Sequence, residues 1–497
     1  MDPLFEITLD LAAKGSREAS RTLCDQLRAA ILDGRLRPGA KLPATRKSES
    51  FFGVSRNTAL EVYDQLLYEG YVVARHGSGT YVADTVPTAV RPSSPAGDAA
   101  PDPRLNAFWL RPDVTAAMGF WRDRPEPPVS PRQPQPVDFR PALIDSRLFP
   151  FDTFRQVSAK QLRGLENKPA RYKSAQGNQG NYRLRDAITK HIALTRAVVC
   201  RADDIVVTSG AQQAFDLLAR VLVTSNETVV AVEDPGYPPM RVAFAAAGAK
   251  LVPVEVDGEG LVVERLPPDV GIICLCPSHQ FPLGVTLSPC RRQALIAFAR
   301  RHGAVIIEDD YDGEFRNDGA ALEALRTADA ADVVFYVGTF SKCMLPALRL
   351  GFVVAPDWAL RTLVAAKNCL DWHCSTPVQM GVAGFIAEGH LAHHVRKMRR
   401  IYRQRRERLL GFLRDHLDEW LEPIPSLYGM HVAAAARADL DLDRVTETLL
   451  KSDVKIHAFS RYYLGPPTMA GLIFGYGAVD LPEMERGLAA LREALRR

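Results

Sequence analysis

Between Thr85 and about Pro136 the chain reads TVPTAVRPSSPAGDAAPDP and later RPEPPVSPRQPQP. A stretch so rich in Pro, Ala, Ser and Asp buries too little apolar surface to offset the entropy lost on ordering. One hydrophobic core cannot continue through it. The 497 residues must therefore fold as separate bodies on either side of a partly extended linker. Two aromatic islands inside the linker, LNAFWL and MGFW, are the segments that could dock on a neighbouring surface.

Before the linker, SRTLCDQLRAAILD carries Leu23, Leu27, Ala30 and Ile31 at helical spacing. GRLRPGAKLPATR is turn chemistry followed by a second, shorter helix. GVSRNTALEVYDQLLYEG is a third helix, with Ser55 as N-cap, Gly70 as stop and Leu60, Tyr63, Leu66 and Leu67 sharing a face. YVVARHGSGTYV reads as two short strands around a Gly-Ser-Gly turn. Three helices and a hairpin make a winged helix-turn-helix. Its third helix starts with Ser55, Arg56, Asn57 and Thr58, the end that meets base edges and phosphates in that geometry. Arg46 adds a cation nearby, and Arg75, His76 and Gly77 lie at the wing. The net charge of +4 is too small to argue for nucleic acid by itself, so the argument rests on this local set.

After the linker, short β-branched runs (DIVVTSG, TVVAVEDPGY, VGIICLCPSH, GAVIIEDDYD, VVFYVGTFSK) alternate with helix-length segments. That alternation implies an α/β body with a mostly parallel sheet. Past about Asn368 the pattern turns helical and ends in a smaller α+β part. The expected layout is a DNA-binding domain over 16–84, a linker over 85–136 and a body over 137–497. Within that body the large part spans about 165–365, and the small part joins 137–164 to 366–497.

The chemistry gathers at the strand ends. GTFSKCMLPALRLGF fixes Lys342 and Arg349 in a small, apolar run. A lysine attacks a carbonyl only as the neutral amine, which desolvation favours. Thr339 and Ser341 add hydroxyls, and Arg349 adds a donor fork suited to phosphate. Amine, hydroxyls and guanidinium together suit a phosphorylated aldehyde. Asp309 ends an apolar strand, where parallel sheets place ligands, and can pair with a protonated ring nitrogen. Tyr311 can donate to a phenolate-like oxygen. Ala211 and Gln212 open a helix after Ser209 and Gly210, an N-terminus that can hold phosphate. Tyr237, in a tight turn, is placed to stack on a flat ring. Each feature alone has an ordinary structural counterpart; their shared order along the strand ends gives them weight.

Two resemblances follow. GRLRPGAKLPATR…FFGVSRNTALEVYDQLLYEGYVVARHGSGTYV resembles the DNA-binding domain of the GntR family of bacterial transcription factors, which implies Arg46, Arg56 and Thr58 as DNA contacts. Its second helix, KSESFF, is more polar than the family pattern at Ser48 and Glu49. Residues 137–497 resemble the fold-type I aminotransferases, which hold pyridoxal 5′-phosphate (PLP) as a Schiff base. That resemblance implies Lys342 as the Schiff-base lysine, Asp309 on the pyridinium nitrogen, Tyr311 at the ring oxygen and Tyr237 on the ring face. It also implies Ala211, Gln212, Thr339, Ser341 and Arg349 around the phosphate, with Tyr172 reaching a partner subunit's phosphate. A GntR-type head on such a body resembles the MocR/GabR subfamily of regulators. The subfamily implies a homodimer, paired half-sites on double-stranded DNA and a small amine or amino-acid-like effector.

Two departures separate the body from active aminotransferases. Their NPxG motif stands here as FPLG, with Phe281 in place of the asparagine that contacts the ring oxygen. Their carboxylate-gripping arginine is replaced by Ile473 in GLIFGYG, and Arg461 is a candidate substitute. Losing a bidentate clamp weakens amino-acid binding. The reading is a PLP-dependent regulator; the alternatives are a working aminotransferase with an accessory DNA-binding domain, or a repressor that no longer binds PLP. Eight cysteines without a CxxC pair indicate neither a zinc site nor a disulfide framework. No apolar run is long enough to span a membrane, and no signal-peptide pattern opens the chain, so a cytoplasmic location is expected.

Overall fold

The computed structural model describes residues 17–84, 106–112, 136–166, 177–315, 323–427 and 429–496, with isolated residues 104, 114 and 117. It divides into two compact units, Met1–Leu105 and Asn106–Arg497.

In the first unit the helix Arg17–Leu32 buries Leu23, Leu27, Ala30 and Ile31, as its spacing predicts. A 3-10 turn, Thr45–Lys47, leads into the short helix Ser48–Phe52, and Arg56–Tyr68 is the third helix. The polar second helix is compatible with the core: Ser48 is buried and its hydroxyl donates to the Val54 carbonyl (3.2 Å), while Glu49 is exposed. The third helix buries Tyr63 and Leu66 of the expected face, together with Ala59 and Val62 in place of Leu60 and Leu67. Leu60 and Leu67, seven residues apart, lie one step around the helix and are 49% and 43% exposed. Gly70 ends this helix at φ +80, with Tyr71 N–H donating to the Leu66 carbonyl, a Schellman-type stop that glycine adopts without strain. Strands Val72–Arg75 and Gly79–Val82 pair antiparallel, Arg75 opposite Gly79, and Lys41 bridges to Tyr81 beside them. The Arg28 guanidinium grips Glu69 at 2.8 Å and ties the first helix to the end of the third.

In the second unit an eight-stranded sheet runs in the order 205–208, 351–354, 334–339, 305–310, 272–275, 229–234, 250–257, 260–261. Neighbours from 334–339 to 250–257 are parallel; 351–354 is antiparallel to both of its neighbours. Ile205–Thr208, Ile272–Leu275 and Val334–Thr339 are buried at every residue, as strands covered on both faces by helices must be. A second, four-stranded antiparallel sheet follows in the order 421–423, 431–436, 471–475, 457–458. Val137–Asp138, just after the linker, pairs with Val454–Lys455, so the start of the body is stitched to its C-terminal part. The basic-looking stretch after Gly389 is one helix, His390–His416, which buries Leu391, Val395, Met398, Tyr402, Leu409 and Leu413.

Of the linker's aromatic islands, LNAFWL contains a 3-10 turn, Ala107–Leu110, capped by the Asn106 side chain, with Trp109 about half exposed. MGFW lies outside the described residues. Among the described residues no helix is long and apolar enough to cross a membrane.

Candidate functional site

In the first unit, the third helix begins with exposed Arg56 and Asn57, preceded by exposed Ser55. Ser55 Oγ accepts from Thr58 N–H (3.2 Å) and lies 2.9 Å from Thr58 Oγ1. The Ser55 hydroxyl therefore caps the helix and is bonded to that of Thr58, and the long side chain presented at the helix start is that of Arg56. Arg46 is exposed two elements earlier, on the 3-10 turn Thr45–Lys47. At the wing, Arg75, His76 and Gly77 are exposed. The Arg75 guanidinium sits 4.7 Å from the Tyr81 ring centroid and the Lys41 ammonium 5.7 Å from it.

In the second unit, adjacent strands deliver the polar groups to one edge of the sheet. Val337 is in register with Asp309, and Thr339 with Gly351, which in turn faces Thr208. The turn after Thr339 carries Ser341 and Lys342. Lys342 Nζ donates to the Ala142 carbonyl at 2.6 Å. Desolvation pushes its pKa down to about 8, against the pull of the Asp312 and Asp309 carboxylates and with help from Arg349. The amine is thus far easier to neutralise than an exposed lysine.

Asp309 is buried, and burial, reinforced by the Asp310 charge, pushes its carboxyl up to about 7. Oδ2 lies 3.7 Å from Cys276 Sγ, while Oδ1 is fully buried and has no hydrogen-bond partner. A buried acceptor without a donor is costly, so this atom is poised for a charged N–H from a bound group. Tyr311, buried alongside, has its hydroxyl 2.8 Å from His279 Nδ1. Tyr237 caps the helix Pro238–Ala246, edge-on to Phe281 with centroids 5.5 Å apart.

Around the expected phosphate position, the helix Ala211–Leu222 opens at Gly210, which has φ +79. The positive φ favours glycine at this position, and a Cβ there would stand 3.0 Å from the Arg349 guanidinium and press on it. Arg349 itself is left-handed at φ +45 and donates to the Ser209 carbonyl at 3.1 Å. Thr339 and Ser341 are buried and share a hydroxyl hydrogen bond of 3.0 Å. The donor set (helix N-terminus, two hydroxyls, guanidinium) fits a phosphate, and the partnerless Asp309 oxygen fits a protonated ring nitrogen. The residues present therefore fit PLP.

The substrate end differs. Ile473 is fully buried, in one apolar cluster with Phe281, Tyr311, Phe459 and Tyr462. Phe281 packs edge-on against Tyr311, His431 and Tyr462. Arg461 is exposed on the Phe459–Tyr462 turn. That turn is tied down by Tyr462's carbonyl, which accepts from Arg241 at 2.8 Å, and by Asp234, which accepts from Leu464 N–H at 2.6 Å. Tyr172 lies outside the described residues.

The sequence reading did not single out Ala142, Cys276, His279 or Asp312. His279 and Asp312 stood in plain view in the stretches CPSHQFPLG and EDDYDGEF, but their pairing depends on two strand ends meeting.

Comparison with known proteins gives the same two parts. Residues 147–468 match the model of aminotransferase class I and II, and residues 19–82 match that of the bacterial regulatory proteins of the gntR family. The chain is 34% identical over 475 residues to a probable rhizopine catabolism regulatory protein, MocR, of Rhizobium meliloti, covering 95% of this chain and 93% of that one. It is 31% identical over 478 residues to the pyridoxine biosynthesis transcriptional regulator PdxR of Corynebacterium glutamicum, covering 95% of each. Its fold is similar to the kynurenine aminotransferase of Pyrococcus horikoshii (TM-score 0.67, 23% identity, 76% of this chain and 98% of that one). It is also similar to LysN, the α-aminoadipate aminotransferase of Thermus thermophilus (TM-score 0.65, 26% identity, 73% and 92%). With a gntR-type winged helix and an aminotransferase-type body matched together along nearly their whole length, the chain belongs to the MocR-type transcriptional regulators.

Proposed function

We propose that this regulator binds PLP at Lys342 and uses it to sense a small amine or amino-acid-like effector, which then alters its binding to double-stranded DNA. The observation that carries the reading is the buried, partnerless Oδ1 of Asp309 beside a lysine whose pKa is pushed down to about 8. When bound, PLP supplies a carbonyl that forms a Schiff base with an amine. The chain's own residues do the rest. Asp309 keeps the ring nitrogen's proton in place, Tyr237 covers the ring face, and Tyr311 serves the ring oxygen. Ala211, Gln212, Thr339, Ser341 and Arg349 hold the phosphate. With its pKa pushed down to about 8, about half of Lys342 is already neutral at pH 8, so the amine can exchange the carbonyl with another amine.

The apolar filling at Phe281 and Ile473 supports sensing over turnover of ordinary α-amino acids, because no guanidinium stands where a carboxylate clamp belongs. Arg461 is the cation we assign to an acidic group on the effector, if it carries one. An effector shifts the equilibrium between two arrangements only by binding one better than the other. We further propose that the protein acts as a homodimer in the cytoplasm, with Tyr172 completing the partner's phosphate site and two heads reading paired half-sites.

The test is spectroscopic. PLP added to the purified protein gives a visible absorption band, absent in Lys342→Ala, and a panel of amines is then screened for a shift of that band. Hits should change DNA binding by the wild-type protein and leave Lys342→Ala unaffected. A protein that stays colourless with PLP sinks the proposal; steady production of a keto acid from an amine would replace it with the aminotransferase reading.

A further inference from the structure

Behind Tyr311 lies a polar pair that none of these assignments uses. His279 and Asp312 are both 2% exposed, and His279 Nδ1 is 3.0 Å from Asp312 Oδ2. The same Nδ1 is 2.8 Å from the Tyr311 hydroxyl. One nitrogen therefore faces two oxygens, and the donor count decides which way the protons point. A carboxylate only accepts. Nδ1 must carry the hydrogen, shared between Asp312 and the Tyr311 oxygen. Tyr311 is then an acceptor toward His279, and its own O–H is left to point away from the pair. The remaining ring nitrogen, Nε2, is fully buried with no partner, as the bare lone pair of that tautomer would be.

The surroundings hold this arrangement. Asp312 Oδ2 also accepts from Met430 N–H at 3.2 Å. A Cβ at Gly429, where φ is +85, would run into the His279 ring, and one at Gly284 would stand 3.2 Å from Nε2. His431 lies against the ring with centroids 4.5 Å apart, and its own Nε2–H donates to the Pro282 carbonyl at 2.9 Å. The titratable groups facing His279 are thus Asp312, Tyr311 and His431.

We propose that His279 and Asp312 are positioning residues that aim the Tyr311 hydroxyl proton at the ring oxygen of the bound cofactor. They would supply by orientation what the related enzymes obtain from the asparagine that this chain replaces with Phe281. The inference rests on the PLP reading above. A hydrogen bond donated to the ring oxygen spreads its negative charge and loosens its hold on the proton of the nearby lysine-bound nitrogen. Losing that bond strengthens the hold and raises the pH at which the visible band converts. Asp309, Glu233, Cys276, Lys342 and Arg349 share the site and set the baseline, so the comparison is between variants at constant ionic strength.

The experiment is a pH titration of the visible band in the full-length, PLP-loaded protein. His279→Leu should move the midpoint up by about one pH unit, a tenfold change that one charge-assisted hydrogen bond supplies. Tyr311→Phe should move it the same way, and the double variant no further than Tyr311→Phe alone, the signature of one shared interaction. His279→Asn, whose amide can replace the Nδ1 donor, should return the midpoint most of the way. Because the Asp312 carboxylate also raises the lysine's pKa, the companion variant is Asp312→Glu, which keeps the charge but displaces the acceptor from Nδ1; it should give a smaller upward shift, and it carries the test if His279→Leu does not fold. A midpoint that ignores His279→Leu and Asp312→Glu while responding to Tyr311→Phe overturns this inference alone, as do fully additive shifts. A wild-type protein without a visible band overturns the cofactor reading and this inference with it.

Discussion

The two units carry their candidate recognition groups in opposite settings. At the start of the third helix, Arg56 and Asn57 stand in solvent, while the Ser55 hydroxyl caps the helix and pairs with that of Thr58. In the aminotransferase-type unit, the groups that matter are buried and electrostatically stressed: Asp309 pushed up to about 7, Lys342 down to about 8, Glu233 up to about 8. An exposed cation contributes by meeting a phosphate or base that arrives with its own charge, and nothing in the fold suffers while it waits. A buried carboxylate with a partnerless oxygen destabilises the fold until its partner is present. Ligand binding should therefore be coupled to stability in the second unit and uncoupled from it in the first.

The largest expected effect tests the buried side. Asp309→Asn removes the charge that we propose pairs with the ring nitrogen, and breaking a buried charged pair costs about 3 kcal/mol or more. PLP affinity should fall by more than about a hundredfold, measured by equilibrium dialysis. The stabilisation PLP confers on the thermal melt should nearly vanish, while DNA binding by the cofactor-free protein stays as in the wild type. Equal PLP affinity in the variant would break the comparison at its strongest point.

Next is Arg56→Ala, the mirror image. Losing a side chain that contacts a base edge costs about 1–3 kcal/mol, roughly ten- to a hundredfold in specific binding. The visible band and the melting temperature should not move. Arg46→Ala, read as a phosphate contact, should weaken binding uniformly across sequences and lower the salt slope by about one. If Arg56→Ala instead lowers the melting temperature while sparing DNA affinity, the exposed residue has a structural role and the contrast fails.

A third prediction uses pH. The reactive lysine is the neutral one, and its pKa is lowered to about 8. The rate of covalent attachment of PLP should climb about tenfold per unit below pH 7 and level off above about 8. The sign follows from which form reacts: raising pH removes the amine's proton. Because the Asp309 carboxylate raises the lysine's pKa, Asp309→Asn should move the plateau to lower pH. Stopped-flow absorbance reads both. A plateau only above pH 10 would mean that Lys342 behaves as an exposed lysine.

How much of this was legible beforehand follows the same division. The winged helix could be read from caps and turns because its signals are local: Ser55 is three residues from the N–H it caps, and Gly70 ends its own helix. The apolar face is legible only by half: Tyr63 and Leu66 are buried, but Leu60 and Leu67 sit outside the face that Ala59 and Val62 complete. Small residues can occupy a core position that the eye gives to leucine. In the second unit, strand-end position singled out Lys342 and Asp309. The Ala142 carbonyl that receives the lysine is 200 residues away in sequence, and His279 is 33 residues from Asp312. Such pairings arise from sheet order, which no spacing in the chain encodes. Phe281 and Ile473 were noticed as missing polar groups, and their shared apolar cluster gives the absence a physical form.

The smallest effect is the most discriminating for the exposed side. Ser55→Ala removes the side-chain acceptor for Thr58 N–H and the hydroxyl partner of Thr58 Oγ1, and a lost N-cap costs about 1 kcal/mol. For a unit of this size that lowers the melting temperature by about 4–8 °C, seen in the first transition if the two units melt separately. If Ser55 only caps, DNA affinity measured well below that transition should change less than in Arg56→Ala, and Ser55→Asp, which restores an acceptor, should recover the stability. A Ser55→Asp variant that is stable but binds DNA much more weakly would show that a phosphate lies close to the helix start, since the added carboxylate repels it. Stability and affinity would then be read from the same residue, and the separation between the two units would hold at Arg56 but not at the cap that precedes it.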